Sequence, residues 1–560
     1  MSLPPNGLPF AFHGLLAERP VHDGPRIDPV KNDPYATLWA AVVLLVGLVL
    51  RWYVITDDMY ADSVVYAQNA YNLLHGTFTL RDDSWCTHRL PVFVPVALAY
   101  AAWGVNEFST HVWPVLLSMA QLMLTMWLGF RLLGSRAGLV AGALLAFLPL
   151  DVNQAAHLMP DGVMATSLTA SAACWIIGRE QAGGRARSLM FLSGVCLALA
   201  TIVRLYSIVL VALYLGDALA RPRTARDLLW PVLGGLVIGL PLVGLYQGAT
   251  GDLFYPLRVV SDAYGRRLAP EGVSMLVYPS LLWHPRQETA LYPALFAVAV
   301  VFALARPSRA RVLLLLWALS LLLFLEFGTM SFSRYVPIFK RTRFLTVVAA
   351  PLSLLAASML GAVVPWLRER WQRAPRWRAW RAVTVAGGVF VLLVGLADAL
   401  YVLRRDRAPL ALAGAQTRAA AVLLSSEPAL PVFVDHWRTA CRLAYYLGFQ
   451  GGSSFYLGAD DHARMLRGPG TEGSRLRYLS WYPVADSLPP GFIVLDDAVL
   501  DAVARADSTS TGPFFAGEVP AYAGRPPVSW RLLRRIGAWR IYLNPPLSVR
   551  PSGPPSPQPE

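Results

Sequence analysis

The first residues that could do chemistry are three aspartates that follow directly on the first long apolar segment. The stretch TDDMYADSVVYAQNAYNLLHGTF, residues 56–78, contains Asp57, Asp58 and Asp62 and is otherwise poor in charge. A carboxylate in this position can act as a general base toward a hydroxyl group. The alternative is structural, because Asp62 is also a suitable N-cap for a helix that stops at Gly76. At helical spacing behind Asp62, the same helix face carries Tyr66, Asn69 and Leu73.

A second acid, Asp161, stands at the start of a later apolar segment, in the stretch HLMPDGVMA. It follows Pro160, so a helix cap is again the alternative. Ionisable side chains at membrane depth are costly to bury and usually have a function. The topology derived below places both acids on one side of the membrane, which favours a functional role.

Basic residues on that side supply the complementary charge. The stretch SRYVPIFKRTRF, residues 333–344, holds Arg334, Lys340, Arg341 and Arg343. Because arginine matches the geometry of phosphate oxygens, the cluster predicts a phosphate clamp, and lipid headgroup binding is the alternative. Arg204 is a further candidate, for which the alternative is a side chain that extends to the membrane surface.

Histidines and cysteines give no sign of a metal site. His88 and His157 lie on the same side, but single histidines are more often structural than ligating. The spacing of the four cysteines also fits no metal site. We therefore expect neither a metal nor another cofactor.

The elements that must position these residues cross a membrane. The chain is 55% hydrophobic and only 15% charged, whereas a soluble protein carries about 25% charged residues. The net charge of +14 comes from arginines concentrated in short loops between apolar runs, for example in LRERWQRAPRWRAWR. This distribution reflects membrane topology and argues against nucleic-acid binding.

The apolar runs predict about eleven transmembrane helices. Because arginine-rich loops face the cytoplasm, residues 1–35 lie inside and the long first loop 56–110 lies outside. Residues 188–220 form two short crossings that turn near Arg204. The predicted crossings are 36–55, 111–130, 137–152, 162–178, 188–203, 205–220, 228–248, 290–305, 312–327, 344–366 and 383–403.

Two further regions differ from these crossings. The stretch THRLPVFVPVALAYAAWG, residues 87–104, is apolar but short and interrupted by proline, so we expect a helix in the outer membrane interface. After residue 403, PVFVD and GFIVLDD are typical of buried strands, and RTACRLAYYLGF is typical of a helix. We therefore predict an extracytoplasmic α/β domain over residues 404–545, followed by a disordered tail over 546–560.

These motifs resemble those of the GT-C membrane glycosyltransferases, which include protein O-mannosyltransferases, aminoarabinose transferases and lipopolysaccharide-core sugar transferases. DSVVYAQNAYNLLHG resembles their Asp-x-x-x-Tyr-x-x-x-Ala…Gly signature, and HRLPVFVPVALAYAAWGVNEF their proline-rich interface helix. RFLTVVAAPLSLLAA is similar to their Arg-Tyr-Leu…Pro segment, with Phe344 in place of tyrosine. The resemblance covers about residues 36–365. Many relatives have Asp-Glu where this chain has Asp62 and Ser63, which leaves Asp57 and Asp58 as rivals for the acid.

The resemblance implies an inverting glycosyltransferase of the bacterial cytoplasmic membrane. Its donor would be a polyprenyl-phosphate sugar, and its acceptor a hydroxyl group of a glycan, lipid or protein on the outer face. In that reading the catalytic acids are Asp62 and Asp161, and the substrate-positioning residues are Tyr66, Asn69 and His88. The donor phosphate would be bound by Arg343, Arg341, Arg204 and Arg334.

Two other classes of protein share some of these features. A lipid or sugar flippase would also have many spans and charges within the membrane, but the sequence shows no convincing internal repeat. A membrane scaffold with an outer binding domain is the third reading. A flippase would also have little use for a large outer α/β domain and a long acidic first loop.

Overall fold

A computed structural model describes most of the chain. Asp57, Asp58 and Arg334, like the terminal segments 1–33 and 546–560, lie outside the described residues. The described residues are 34–56, 59, 62–81, 84–221, 226–267, 276–281, 291–329, 335–338, 340–373, 378–435, 437–449, 475–479, 482, 484–497, 500–501 and 521–545.

The chain divides into two compact units. The first unit comprises residues 1–55, 89–92 and 111–406, and the second comprises 56–88, 93–110 and 407–560. Most of the first outer loop, which the predicted domain bounds group with the transmembrane helices, falls in the second unit. The predicted domain bounds stay a prediction.

Long apolar runs form helices, since a helix satisfies every backbone hydrogen bond internally where water is absent. In chain order these helices are α1 (Pro34–Tyr53), α2 (Asp62–Leu74), α3 (Leu90–Trp103), α4 (Glu107–Leu133), α5 (Ser135–Phe147), α6 (Pro149–Gln154), α7 (Pro160–Gly178), α8 (Gly183–Val203), α9 (Val211–Ala220), α10 (Leu229–Thr250), α11 (Tyr255–Arg267), α12 (Val277–Ser280), α13 (Tyr292–Ala305), α14 (Arg309–Phe327), α15 (Thr346–Arg373) and α16 (Arg378–Ser425).

Among the described residues, 6 helices are long and apolar enough to cross a membrane, and several shorter apolar helices accompany them. Each predicted crossing is largely helical, although 137–152 is divided between α5 and α6 and 205–220 begins with a 3-10 turn. The polytopic helical fold is therefore confirmed. How many of the helices span the membrane stays a prediction. The last one is longer than expected, because α16 continues for 48 residues.

The predicted turn near Arg204 is present. Arg204 has an extended backbone, with φ −150° and ψ 120°, and it separates α8 from a 3-10 turn at Leu205–Leu210. On the other side of α8, small residues allow α10 to pack closely. A Cβ atom added at Gly194 would lie only 1.9 Å from the carbonyl oxygen of Pro231.

The second unit contains a five-stranded sheet with the order β2-β1-β3-β5-β4. Strand β1 is parallel to β2 and β3, while β5 is antiparallel to β3 and β4. The predicted strands PVFVD and GFIVLDD are β1 and β3, and both are buried because they lie inside the sheet. The elements are β1 (Val432–Val434), α17 (Trp437–Tyr446), β2 (Leu476–Tyr478), β3 (Gly491–Asp496), α18 (Ala521–Gly524), β4 (Arg531–Ile536) and β5 (Trp539–Asn544).

The sheet domain has its own hydrophobic core, to which Phe433, Ile493, Leu495 and Trp530 contribute. Helix α17 packs against the sheet and also against α2 of the first outer loop. The C-terminal domain therefore supports the helix that begins with Asp62.

Candidate functional site

In the first unit, Asp161 lies in the first turn of α7. The helix begins at Pro160, and the residue before it, Met159, occupies the N-cap position. Asp161 is thus inside the helix, so the capping alternative does not describe it. Its side chain is fully buried. A buried carboxylate must be paired or hydrogen-bonded, because removing a charge from water is costly.

Two guanidinium groups supply the pairing. Nη2 of Arg204 lies 3.1 Å from Oδ1 of Asp161, and Nε of Arg343 lies 3.6 Å from Oδ2. Arg204 is positioned by the break between α8 and the following 3-10 turn. Arg343 lies in a second 3-10 turn, Thr342–Leu345, which leads into α15. The structure therefore brings together three of the predicted site residues from distant parts of the chain.

Aromatic rings and a thioether orient the same arginines. The guanidinium carbon of Arg204 lies 4.3 Å from the ring centroid of Phe344 and 5.9 Å from that of Tyr206. Nη1 of Arg343 lies 3.6 Å from the sulfur of Met159. A cation over an aromatic face is stabilised electrostatically and held in one orientation. Phe344, which replaces the tyrosine of the family motif, thus retains a ring against Arg204.

The two arginines of this cluster differ in exposure. Both guanidinium groups face the one carboxylate of Asp161. The Arg204 side chain is only 7% exposed, whereas that of Arg343 is 29% exposed. Arg343 is therefore the more accessible cation of the cluster. Such an arrangement suits a phosphate anion, which arginine binds with charge-assisted hydrogen bonds.

His157 is a neighbour of this cluster that the sequence analysis treated only as a lone histidine. Burial, together with the nearby His111 and Arg343, lowers the pKa of His157 to about 4. The imidazole is therefore neutral at neutral pH, and it adds no positive charge to the cluster.

The segment that leads to Arg343 is fixed by a second ion pair. Lys340 pairs with Glu326 at the end of α14. Glu326 also accepts hydrogen bonds from the backbone N–H groups of Val277 and Tyr278, at 3.1 and 3.0 Å. The hydroxyl of Tyr278 donates to the carbonyl oxygen of Arg341 at 3.2 Å.

These contacts distinguish the basic residues of the predicted phosphate clamp from one another. Lys340 is neutralised by its partner and is not available to a ligand. Arg341 is exposed, and its backbone is held while its guanidinium lies outside the Asp161 ion pairs. Of the predicted phosphate-binding residues that the structure describes, Arg204 and Arg343 lie around Asp161.

A buried cluster in the same unit was missed by sequence reasoning. Arg51, at the end of α1, is fully buried and forms an ion pair with Asp151 of α6. Its Nε donates to the Ser118 hydroxyl at 2.6 Å, and that hydroxyl donates to Asp151 at 2.8 Å. The signal was present, since each charge stands at the end of an apolar segment. The pairing itself spans 100 residues of sequence and has no local pattern.

In the second unit, Asp62 is the first residue of α2. Tyr66 and Asn69 follow it on the helix, and both are buried, with exposures of 0% and 3%. His88 is also buried, at 4% exposure. The predicted end of this helix is present as well, because Gly76 has a left-handed backbone with φ +71°.

Asp62 lies beside a cysteine of the C-terminal domain. Burial, together with the negative charge of Asp62, raises the pKa of the Cys441 thiol to about 12. Since Cys441 belongs to α17, this interaction joins the two ends of the chain within the second unit. Sequence reasoning could not have found it, because nothing local to either residue indicates the other.

A metal site requires several ligands in one place. Within the part of the chain that the structure describes, no group of three or more His, Cys, Asp or Glu side chains could hold a metal ion.

Comparison with known proteins bears on this arrangement. Residues 91–246 match the family described as dolichyl-phosphate-mannose-protein mannosyltransferase. This region includes α7, the Arg204 turn and therefore Asp161. Among curated protein sequences, none matches the chain significantly.

Solved structures share the fold at low sequence identity. ArnT from Cupriavidus metallidurans bound to undecaprenyl phosphate is 16% identical, with a TM-score of 0.58 over 91% of this chain and 98% of that one. Its apo structure has the same TM-score and is 17% identical over the same shares of both chains. The oligosaccharyltransferase AglB from Archaeoglobus fulgidus, in complex with an inhibitory peptide and a dolichol-phosphate, is 11% identical, with a TM-score of 0.49 over 93% and 76%. The predicted resemblance to GT-C glycosyltransferases is confirmed at the level of fold.

Proposed function

We propose that this chain, which has the GT-C fold, is an inverting glycosyltransferase that uses a polyprenyl-phosphate sugar as donor. The observation that carries the proposal is the cluster of Arg204, Arg343 and Asp161. It places two guanidinium groups around one buried carboxylate, and Asp161 and Arg204 lie in the region that matches the mannosyltransferase family. The lipid phosphate in the ArnT complex supports the same class of donor.

The first step of the proposed reaction is binding of the donor phosphate by Arg343 and Arg204. As the bond between the anomeric carbon and the phosphate oxygen breaks, negative charge accumulates on the leaving phosphate. Guanidinium groups that are already oriented stabilise that charge in the transition state more than in the ground state. Asp161 acts as a positioning residue in this proposal, because its carboxylate holds both guanidinium groups.

The second requirement is removal of a proton from the acceptor hydroxyl. We assign this role to Asp62, whose carboxylate takes the proton as the hydroxyl oxygen bonds to the anomeric carbon. Attack from the face opposite the phosphate inverts that carbon. General-base assistance contributes about 10²–10⁴-fold. Tyr66, Asn69 and His88 are assigned to positioning the substrate, and Asp57 and Asp58 stay rival candidates for the base.

The proposal includes a location. The acceptor would be a glycan, lipid or protein hydroxyl on the outer face of the bacterial cytoplasmic membrane. The C-terminal domain would lie on that same face. The arginine-rich loops between helices support this orientation through the positive-inside rule.

The decisive experiment measures sugar transfer from a panel of polyprenyl-phosphate sugars by purified protein in detergent or nanodiscs. We expect one donor to lose its sugar at a rate far above that of the Asp62→Asn variant. A flippase would instead move the intact lipid between leaflets of a proteoliposome and release no sugar. Lipid movement without transfer would therefore replace the proposed function by transport.

A further inference from the structure

Helix α2, which begins with Asp62, is short and needs external support. It has 13 residues, and isolated helices of that length are only marginally stable in water. Its first half is buried, but its last residues Leu73 and Leu74 are 37% and 41% exposed. Packing by neighbouring elements of the second unit must therefore fix its orientation.

The support comes from the segment that ends α17. The ring of Phe449 lies 5.4 Å from that of Tyr71 in α2 and 5.7 Å from that of Tyr445 in α17, measured between centroids. Tyr71 also stacks on His75 with a centroid distance of 3.9 Å. Phe449 is 3% exposed. It thus forms a buried aromatic contact between the C-terminal domain and the helix that begins with Asp62.

Phe449 has an unusual backbone. Its φ is +51°, and Gly448 before it has φ +78°. The N–H of Phe449 donates to the carbonyl oxygen of Ala444 at 2.9 Å, which closes the end of α17 in the manner of a Schellman cap. Glycine accepts positive φ without strain, but a bulky residue rarely does. Such strain persists only where surrounding contacts enforce it, and it often marks a position with a function.

Hydrogen bonds fix the residues around Phe449. The Tyr445 hydroxyl lies 2.9 Å from that of Thr110, and the Thr110 hydroxyl lies 2.8 Å from that of Tyr100. Close by, the carboxylate of Glu107 accepts hydrogen bonds from Arg418 at 2.6 Å and from the Tyr446 hydroxyl at 3.3 Å. These bonds join the end of α17 to α3 and to the first turn of α4. The hydrogen bonds at the end of α17 therefore hold Phe449 in place against α2.

We propose that Phe449 is a positioning residue, which holds α2 and its Asp62 carboxylate in the orientation that catalysis needs. The inference rests on the proposed function, because it assigns the small α/β domain the task of supporting the general base. A general base must lie within hydrogen-bond distance of the proton that it removes. A displacement of about 1 Å can cost on the order of 10²-fold in rate.

The test compares two chemically identical substitutions. Phe449→Leu keeps an apolar residue and the same backbone strain but removes the ring from Tyr71. Phe433→Leu removes a ring from the core of the same domain, where Phe433 packs on Tyr482 and away from α2. Phe449→Tyr keeps the ring and serves as the conservative variant. Each full-length protein is measured by steady-state sugar transfer and by hydrogen exchange of residues 62–74.

We expect Phe449→Leu to lower kcat by on the order of 10-fold or more while the KM for the donor changes little, because the base is displaced. Exchange over residues 62–74 should accelerate. Phe449→Tyr should restore most of the turnover, and Phe433→Leu should change neither kcat nor exchange in α2. Unchanged kcat in Phe449→Leu would overturn the inference, as would an equal loss of kcat in Phe433→Leu.

Failure of the proposed function gives a different result. If the wild-type protein transfers sugar from no donor, the catalytic assignment falls with the proposed function. Hydrogen exchange still decides whether Phe449 holds α2. Equal exchange over residues 62–74 in the wild-type and Phe449→Leu proteins would overturn the positioning role itself.

Discussion

At the scale of single residues, the geometry of a cation can be separated from its charge. Arg343→Ala should lower kcat/KM for the donor by about 10- to 150-fold, the equivalent of one charged hydrogen bond at 1.5–3 kcal/mol. Arg343→Lys should recover only part of that loss, because an ammonium group cannot form the two parallel bonds of a guanidinium. Steady-state kinetics with the active donor measure both. Arg185→Ala is the matched control, since Arg185 is exposed at the start of α8. Equal rates for all Arg343 variants would assign the arginines to lipid headgroups.

The carboxylate of Asp62 allows a similar separation of chemistry from structure. Asp62→Asn preserves the side-chain size, and at the first position of α2 it removes only the attraction between the carboxylate charge and the helix dipole. We expect expression and thermal stability to hold while kcat falls by about 10²-fold or more. Asp62→Ala should lose turnover and about 0.3–1 kcal/mol of stability, the effect of an acid in the first turn of a helix. Wild-type turnover in Asp62→Asn would make Asp62 a structural residue and direct the search for the base to Asp57 and Asp58.

At the scale of elements, the carboxyl ends of β1 and β3 bring two buried acids together. Asp435 accepts a hydrogen bond from the Thr439 hydroxyl at 2.8 Å and another from the backbone N–H of Asp496 at 2.6 Å. Burial, together with the charge of Asp496, raises the pKa of Asp435 to about 7. The folded domain therefore keeps a proton that the unfolded chain loses near pH 4, the ordinary pKa of aspartate being about 3.9.

It follows that the free energy of unfolding decreases as the pH rises from about 4 through about 7, by up to about 4 kcal/mol at 1.36 kcal/mol for each unit of pKa. Hydrogen exchange of β3 in the full-length protein should therefore be better protected at pH 5 than at pH 8, after correction for intrinsic exchange rates. Asp435→Asn, which cannot ionise, should remove most of this difference. A pH difference of the same size in Asp435→Asn would mean that Asp435 is not its source.

The same scale shows which features the sequence could predict. Apolar runs predicted the helices, and short β-branched runs predicted β1 and β3, because both signals are periodic and local. Arg204 and Asp161 are recognisable in the sequence as charged residues at the ends of apolar segments, but the sequence does not predict that they pair. The Arg51–Asp151 ion pair and the Thr110–Tyr445 contact join residues 100 and 335 positions apart. Such contacts depend on how elements pack, and no local pattern encodes them.

At the scale of the whole molecule, the ion pairs of the first unit show which helix ends lie on the same side of the helix bundle. Arg179 at the end of α7 pairs with Asp217 of α9, and Arg221 at the end of α9 pairs with the same carboxylate. At the other ends of these helices, Asp161 at the start of α7 meets Arg204 at the end of α8. Helices α7, α8 and α9 therefore alternate in direction between two levels, as the predicted short crossings require.

The side reached by residue 403 follows from the same reasoning. Leu403 packs with Val54, Val152 and Ala156 in one hydrophobic cluster, and Asn153 donates a hydrogen bond to Asp406 at 3.3 Å. The end of α1 and the chain after residue 403 therefore lie at the same level of the first unit. If arginine-rich loops face the cytoplasm, that level is the outer one.

A reporter that is active only outside the cytoplasm should be active when fused after residue 403 and inactive when fused after Pro307, between α13 and α14. Activity of the reporter after Pro307 and its absence after residue 403 would show that the predicted topology is inverted. Asp62, Asp161 and Arg343 would then face the cytoplasm, and the proposed transfer on the outer face could not occur.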